Sequence, residues 1–173
     1  MPQTRLNPFR SYSEESVINL YSLDDATGEA GALVKVSNGN FTVDPVQYLT
    51  SPDWTSPLGH ARSRFPVTPY KVTKVGGTGE AGVLGLLLRD VRRTDENGEN
   101  LLYYPQKKAE LQCVYTGETV PIATEGIFEL NNKAFAGGVC PGVGMIAVPA
   151  AGGRITGVAL ASASTEQKDA SVG

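Results

Sequence analysis

One stretch in the middle of the chain decides the fold, residues 82–130, and it reads GVLGLLLRDVRRTDENGENLLYYPQKKAELQCVYTGETVPIATEGIFEL. Its apolar residues form short runs of strand length, and glycine, proline or asparagine stands between the runs. The pair Asn97-Gly98 separates the run 82–93 from the run 101–104. Such a pair predicts a β-hairpin, because a type I′ turn requires positive φ at both central residues. This stretch therefore predicts a compact, mainly β domain.

Further strands are predicted on both sides of this hairpin. Within the same stretch, residues 111–116, 120–124 and 127–130 have strand character. Pro121 predicts either the start of a strand or a sheet edge, because proline has no N–H to donate to a neighbouring strand. Elsewhere in the chain, strands are predicted at residues 33–36, 41–43, 70–75, 145–148 and 155–160.

Composition restricts the class of protein. The chain has 173 residues, of which 40% are apolar and 19% charged, as is ordinary for a soluble globular protein with a real core. Its 20 glycines and 11 prolines favour many turns and disfavour long helices. The net charge is −3, no long basic run occurs, and no apolar window reaches the ~18–20 residues of a membrane span. We therefore expect no nucleic-acid partner, no membrane span and no secretory signal.

The chain divides into three predicted parts. Residues 1–31 are expected to form an extended N-terminal arm and a short helix that begins at Ser13. Residues 32–164 are expected to form a single β domain, either a small barrel or a sandwich, and residues 165–173 a polar, mobile tail. A long Pro-rich loop, residues 44–69, interrupts the β domain, and its aromatic and arginine content favours a contact role over disorder.

Two motifs in the chain superficially suggest a ligand site. Gly77-x-Gly79-x-x-Gly82 has the spacing of a dinucleotide fingerprint, but a strand-like run follows it instead of the helix that would hold a pyrophosphate. We interpret it as an interstrand loop. The acidic run 95–99 lacks the EF-hand pattern, because its sixth and twelfth positions are Asn100 and Gln106. We interpret that run as a solvated hairpin tip, and we expect neither a cofactor nor a metal.

The chain carries no recognisable catalytic centre, and we expect that it is not an enzyme. His60 is the single histidine, and no local signature supports a nucleophile pair between it and Cys113 or Cys140. Both cysteines are interpreted as buried, reduced thiols. The basic residues near the hairpin indicate a solvated face or an interface for acidic partner residues, and they are Arg89, Arg92, Arg93, Lys107 and Lys108.

Three pairs of segments resemble a known family. They are NPFR (7–10) with VINL (17–20), GLLLRDVR (85–92) with DENG (95–98), and GETVPI (117–122) with GIF (126–128). In texture and order they resemble the capsid decoration, or cement, proteins of tailed bacteriophages. The resemblance implies a β-barrel or β-tulip domain with extended arms. It also implies binding between subunits of the major capsid protein, often as a homotrimer.

On this basis we expect a virion structural protein on the outer capsid surface, present in the host cytoplasm before assembly. Apolar anchors and polar rim contacts are expected among arm, loop and strand residues. These candidate interface residues are Leu6, Phe9, Tyr12, Tyr48, Trp54, Arg62, Arg64, Phe65, Arg92 and Arg93.

Two alternatives remain open from the sequence. The first is a tail, neck or head–tail connector component of the virion. The second, from a different class, is a carbohydrate-binding or hydrolytic β domain, in which Trp54 and Tyr48 would stack on sugar rings.

Overall fold

The computed structural model describes residues 4–8, 14–25, 27–37, 71–169 and 171, and these are mainly β. The strands in chain order are β1 (Leu6–Pro8), β2 (Val17–Ile18), β3 (Ser22–Leu23), β4 (Leu33–Ser37), β5 (Lys71–Lys74), β6 (Val83–Leu87), β7 (Asp90–Arg92), β8 (Cys113–Tyr115), β9 (Ile122–Ala123), β10 (Phe128–Leu130), β11 (Met145–Ala150) and β12 (Arg154–Ala159). The described helices are α1 (Pro105–Glu110) and α2 (Thr165–Asp169), and single 3₁₀ turns lie at Glu14–Ser16, Asn132–Ala134, Ala136–Gly138 and Ala151–Gly153.

Six of the strands form one curled sheet, in the order β2-β9-β6-β4-β5-β3. All neighbours in it are antiparallel except β3 and β5, which are parallel. The remaining described strands form two-stranded pairs: β1 with β10 and β11 with β12 are antiparallel, whereas β7 with β8 is parallel.

Apolar side chains cover both faces of this sheet. Successive strand residues point to opposite faces, so Val34 and Leu87 enter one buried cluster while Leu33 and Leu86 enter another. This double burial fits the sequence of β6, which has no polar side chain, and the first two residues of β4, Leu33 and Val34. The core therefore lies on both sides of β4 and β6.

Close approach of two backbones requires a glycine in the middle of β6. A Cβ atom added at Gly85 would stand 2.1 Å from the carbonyl oxygen of Ala123 on the neighbouring strand β9. No side chain fits in that space, so glycine at this position allows β9 to pair with β6.

Most of the predicted strands are confirmed, although their bounds differ by a few residues. Residues 33–36 lie in β4, residues 71–74 of the predicted strand 70–75 form β5, and the last hairpin forms from β11 and β12. The predicted strand at 41–43 and the Pro-rich loop 44–69 lie outside the described residues. Pro121 precedes β9, as expected for a strand start, but β9 lies inside the sheet, so the edge alternative is wrong.

The central hairpin forms differently from the prediction. Asn97-Gly98 does lie in a turn, with Gly98 at φ +84° and its N–H donating to the Asp95 carbonyl at 3.2 Å. However, the run 82–93 divides into β6 and β7, and residues 101–104 form turns that lead into α1 instead of a second strand. The strand at 101–104 is therefore a wrong prediction.

Residues 4–8 are docked on the domain rather than forming a free arm. Strand β1 pairs with β10, and the N–H and hydroxyl of the buried Thr4 both donate to the carboxylate of Glu29, at 3.2 and 2.5 Å. Backbone pairing and side-chain hydrogen bonds therefore hold this part of the expected extended arm against the domain.

The helical predictions near the two ends also need correction. The helix expected from Ser13 is a single 3₁₀ turn, after which the β-branched Val17 and Ile18 enter β2. The tail expected to be mobile begins with the helix α2. Ser164 caps it reciprocally, because its Oγ accepts from the Gln167 N–H at 3.2 Å while the Gln167 Oε1 accepts from the Ser164 N–H at 3.0 Å.

Candidate interaction surface

The last hairpin changes from buried to exposed along its length. At its turn end, Val148, Ala150 and Ile155 are buried. At its open end, Met145 faces Ala159 across the ladder, and Met145 and the following Leu160 are 49% and 55% exposed. One end of the hairpin is thus part of the core, and the other end presents apolar side chains to solvent.

A loop beside the open end adds more apolar surface. In residues 139–144, Val143 is fully exposed and Val139 is 70% exposed. The loop is held to the hairpin, since the Met145 N–H donates to the Gly142 carbonyl at 3.2 Å and the Leu160 N–H to the Gly144 carbonyl at 3.5 Å. We call the exposed side chains of Val139, Val143, Met145 and Leu160 the apolar end surface.

Charge is missing from the sequence around the apolar end surface. Between Lys133 and Glu166 the only charged residue is Arg154, which pairs with Ala150 at the opposite, turn end of the hairpin. Single exposed apolar residues are normal on soluble proteins, but several of them on one loop and the adjoining hairpin end are typical of a protein interface. None of these residues was predicted from the sequence as an interface residue, although the charge-free run 134–153 was a usable signal.

The basic residues expected to face a partner are largely used inside the protein. Lys108 pairs with Glu118 at 2.6 Å, and Arg92 with Asp90 at 2.9 Å. The Asp90 carboxylate also accepts the Ala30 N–H at 2.8 Å, so Arg92 is a half-buried part of an internal network. Its role as a rim contact stays a prediction, for a side chain that already has Asp90 as an internal partner. Arg93, in contrast, is exposed.

The acidic hairpin tip contains a buried carboxylate. Asp95 is 7% exposed, and its Oδ1 accepts the N–H groups of Asn97 and Glu99 at 2.9 and 2.8 Å. Its Oδ2 forms an ion pair with Lys107 Nζ at 2.6 Å. Lys107 holds the pKa of Asp95 below its ordinary value. Burial acts in the opposite direction, and the two backbone N–H donors lower the pKa further. The prediction of a solvated tip is wrong for Asp95, which ties the turn to α1.

The two cysteines have different environments. Cys113 is buried, and burial raises the pKa of its thiol. Cys140 is exposed, so the prediction of a buried thiol is confirmed for Cys113 and wrong for Cys140.

His60 lies outside the described residues. Among the residues that are described, no three His, Cys, Asp or Glu side chains gather as metal ligands would.

The glycine motif before β6 forms an interstrand loop, as interpreted from the sequence. The N–H groups of Gly76 and Gly77 donate to the Glu80 carboxylate at 2.8 and 3.2 Å, and the Gly79 N–H donates to the Pro149 carbonyl at 2.9 Å. These amides bind protein oxygens, and the chain then enters the strand β6.

The remaining interface candidates divide into two groups. Leu6 is half-buried and packs on the protein's own core beside Leu130, so it is a poor candidate for an external anchor. The others lie outside the described residues, and they are Phe9, Tyr12, Tyr48, Trp54, Arg62, Arg64 and Phe65.

A cleft with a volume of about 580 Å³ lies against β6, β9 and β10. Apolar side chains such as Leu84 and Phe128 line it, and Glu125 and Asp169 lie among its polar lining residues. It opens onto the core cluster formed by Leu33, Val75, Leu86 and Ile155, and the apolar side chains that surround this cluster are only partly buried. This cleft brings together none of the residues singled out from the sequence as chemically active.

Comparison with known proteins adds no relative: no protein-family model matches the chain, and neither the curated proteins nor the solved structures contain a significant match. Among the helices of the described residues, none has the length and apolar character needed to cross a membrane.

Proposed function

We propose that this protein is a non-enzymatic virion structural protein that binds the outer surface of a phage capsid and stabilises contacts between major capsid subunits. The resemblance to decoration proteins motivates the proposal, and the apolar end surface is the observation that carries it. A domain whose own core is well packed still presents Val139, Val143, Met145 and Leu160 to solvent. Such a surface is suited to a protein partner.

The physical basis of binding is apolar burial repeated by symmetry. Fully burying one valine or leucine side chain contributes about 1.5–3 kcal/mol, so a few such residues provide a modest affinity at each contact. The proposed domain is barrel- or tulip-like with arms, and it assembles as a trimer on a three-fold capsid position. In that arrangement three contacts act together. Their avidity then exceeds the affinity of any single contact.

Co-sedimentation with Val143→Asp tests the proposal. The purified protein is mixed with virus-sized particles from its own source that lack it, and the particles are pelleted through a cushion. Wild type is expected in the pellet in many copies per particle. Val143→Asp is expected to bind at least about tenfold more weakly, because a carboxylate would have to be buried in an apolar contact. The variant should fold normally, since Val143 is fully exposed.

Ile127→Asp is the matched control, because Ile127 is exposed, is not part of the apolar end surface and receives the same new charge. It should pellet like wild type. Wild type that stays in the supernatant would overturn the virion proposal. A few copies per particle would replace capsid decoration by a tail or connector role. Equal binding by both Asp variants would show that the contact lies elsewhere on the protein.

A further inference from the structure

Two neighbouring tyrosines stand exposed beside a cleft. Tyr103 and Tyr104 are 69% and 48% exposed, in a segment where the sequence predicted a strand. They border a cleft of about 360 Å³, within the volume range of small-ligand sites. The other residues that line it are Pro105, Gln106, Lys107 and Glu110.

The backbone under the two rings is held in place. The Tyr103 N–H donates to the Asn100 carbonyl at 3.1 Å, and the Tyr104 N–H to the Leu101 carbonyl at 3.3 Å. Leu101 is buried in a small cluster with Cys113 and Tyr115. A ligand would therefore meet a preorganised aromatic surface and would not have to order a loop.

The charge near the cleft disfavours an anionic ligand. The ammonium of Lys107 lies 2.6 Å from Asp95 Oδ2 and 3.7 Å from Glu96 Oε1, so internal carboxylates already neutralise it. Glu99 also acts on Lys107, and Glu110 adds a further negative charge to the lining. Phosphates, nucleic acids and acidic sugars would be repelled here.

The polar groups that remain available match the hydroxyl groups of a sugar. The Gln106 amide, the Glu110 carboxylate and the two phenol hydroxyls have no hydrogen-bond partner elsewhere in the described residues. An amide both donates and accepts, and a carboxylate accepts from adjacent hydroxyls. The flat face of Tyr103 or Tyr104 suits the C–H face of a pyranose ring, which is apolar.

We infer that Tyr103, Tyr104, Gln106 and Glu110 form a binding site for a neutral hexopyranose of a glycan. This inference does not depend on the capsid proposal, because the cleft shares no residue with the apolar end surface. A cationic amine is the competing ligand, because the carboxylates near the cleft would also attract it, and the experiment below distinguishes it from a neutral sugar.

Affinity electrophoresis of the full chain in gels containing mannan, dextran, galactan or xylan tests the inference. At least one polysaccharide should retard wild type. Tyr103→Ala and Tyr104→Ala should each weaken that binding by about tenfold, whereas Tyr103→Phe should retain most of it because the ring remains. Ile127→Ala, which removes an exposed side chain that belongs to neither proposed site, should migrate like wild type.

Three results would overturn the inference. One is that none of the four polysaccharides retards wild type. Another is that Tyr103→Ala and Tyr104→Ala bind as well as wild type while their unfolding midpoints are unchanged. The third is that choline, added as a cationic probe, shifts the NMR signals of Tyr103 and Tyr104 while neutral sugars shift none. Failure of capsid co-sedimentation would leave the glycan result unaffected, so the two proposals can fail separately.

Discussion

The central sheet and the last hairpin use similar apolar residues with opposite outcomes. In the sheet, Val34, Val72 and Leu87 are completely buried. At the open end of the β11–β12 hairpin, Met145 and Leu160 are about half exposed. The difference lies in the neighbours, because β4 and β6 are covered on both faces whereas the hairpin contacts the rest of the domain near its turn.

Specific contacts hold the turn end of the hairpin. The Gly153 N–H donates to the Val75 carbonyl at 2.9 Å, and Phe135 forms a parallel bridge with Ile155. The structure describes no comparable covering element over Val143 or Leu160. Apolar content alone therefore does not identify a core. Burial also requires a second element of the same chain within reach.

The largest expected effect separates the two regions by stability. Leu87→Ala removes a fully buried side chain from the sheet core and should lower the free energy of unfolding by about 2–5 kcal/mol. Leu160→Ala makes the same chemical change at the hairpin and should stay within about 0.5 kcal/mol of wild type. Urea unfolding measures both, and equal losses would remove the distinction between the regions.

An intermediate effect tests the close pairing of β6 with β9. Gly85→Ala would place a Cβ against the Ala123 carbonyl and should lower the free energy of unfolding by about 1–3 kcal/mol. Gly77→Ala is the matched control, because an added Cβ there has no neighbour within 4 Å. That variant should be unchanged or up to about 1 kcal/mol more stable. A Gly85→Ala protein as stable as wild type would contradict the packing of these strands.

The smallest effect concerns the ion pair between Lys35 on β4 and Glu80 in the loop between β5 and β6. Glu80 accepts hydrogen bonds from Lys35 and from the N–H groups of Gly76 and Gly77, and these hold its pKa below the ordinary 4.5. Its contribution to stability is therefore present above about pH 4.5 and is lost as the pH falls through the lowered pKa in the folded state.

Urea unfolding as a function of pH measures this contribution. Glu80→Gln should lose less than about 1 kcal/mol at neutral pH, because the ion pair is partly exposed, and it should show a shallower loss of stability in acid than wild type. Glu125→Gln, at an exposed glutamate elsewhere, serves as the control. An acid profile of Glu80→Gln that matches wild type would mean that this pair contributes nothing.

Prediction from the sequence succeeded where local signals act alone. The turn at Asn97-Gly98 follows from the φ preference of glycine, and the last hairpin follows from two apolar runs around a small-residue turn. Prediction failed for residues 101–104, where an apolar pattern of four residues fits a strand or a turn equally well. The exposure of Tyr103 and Tyr104 beside one cleft was not predicted either. The directions of four consecutive side chains are known only when the backbone conformation is known.

The amino-acid sequence was enough to predict the β character, the positions of most described strands and the turn between Thr94 and Asn100. These features depend on local backbone preferences and on the spacing of apolar residues along the chain. The tertiary structure alone decided the parallel pairing of β7 with β8, the docking of β1 on β10 and the burial of Asp95 beside Lys107. It also decided which apolar residues remain exposed. Each of these depends on contacts between residues distant in the chain, and a local pattern carries no information about them.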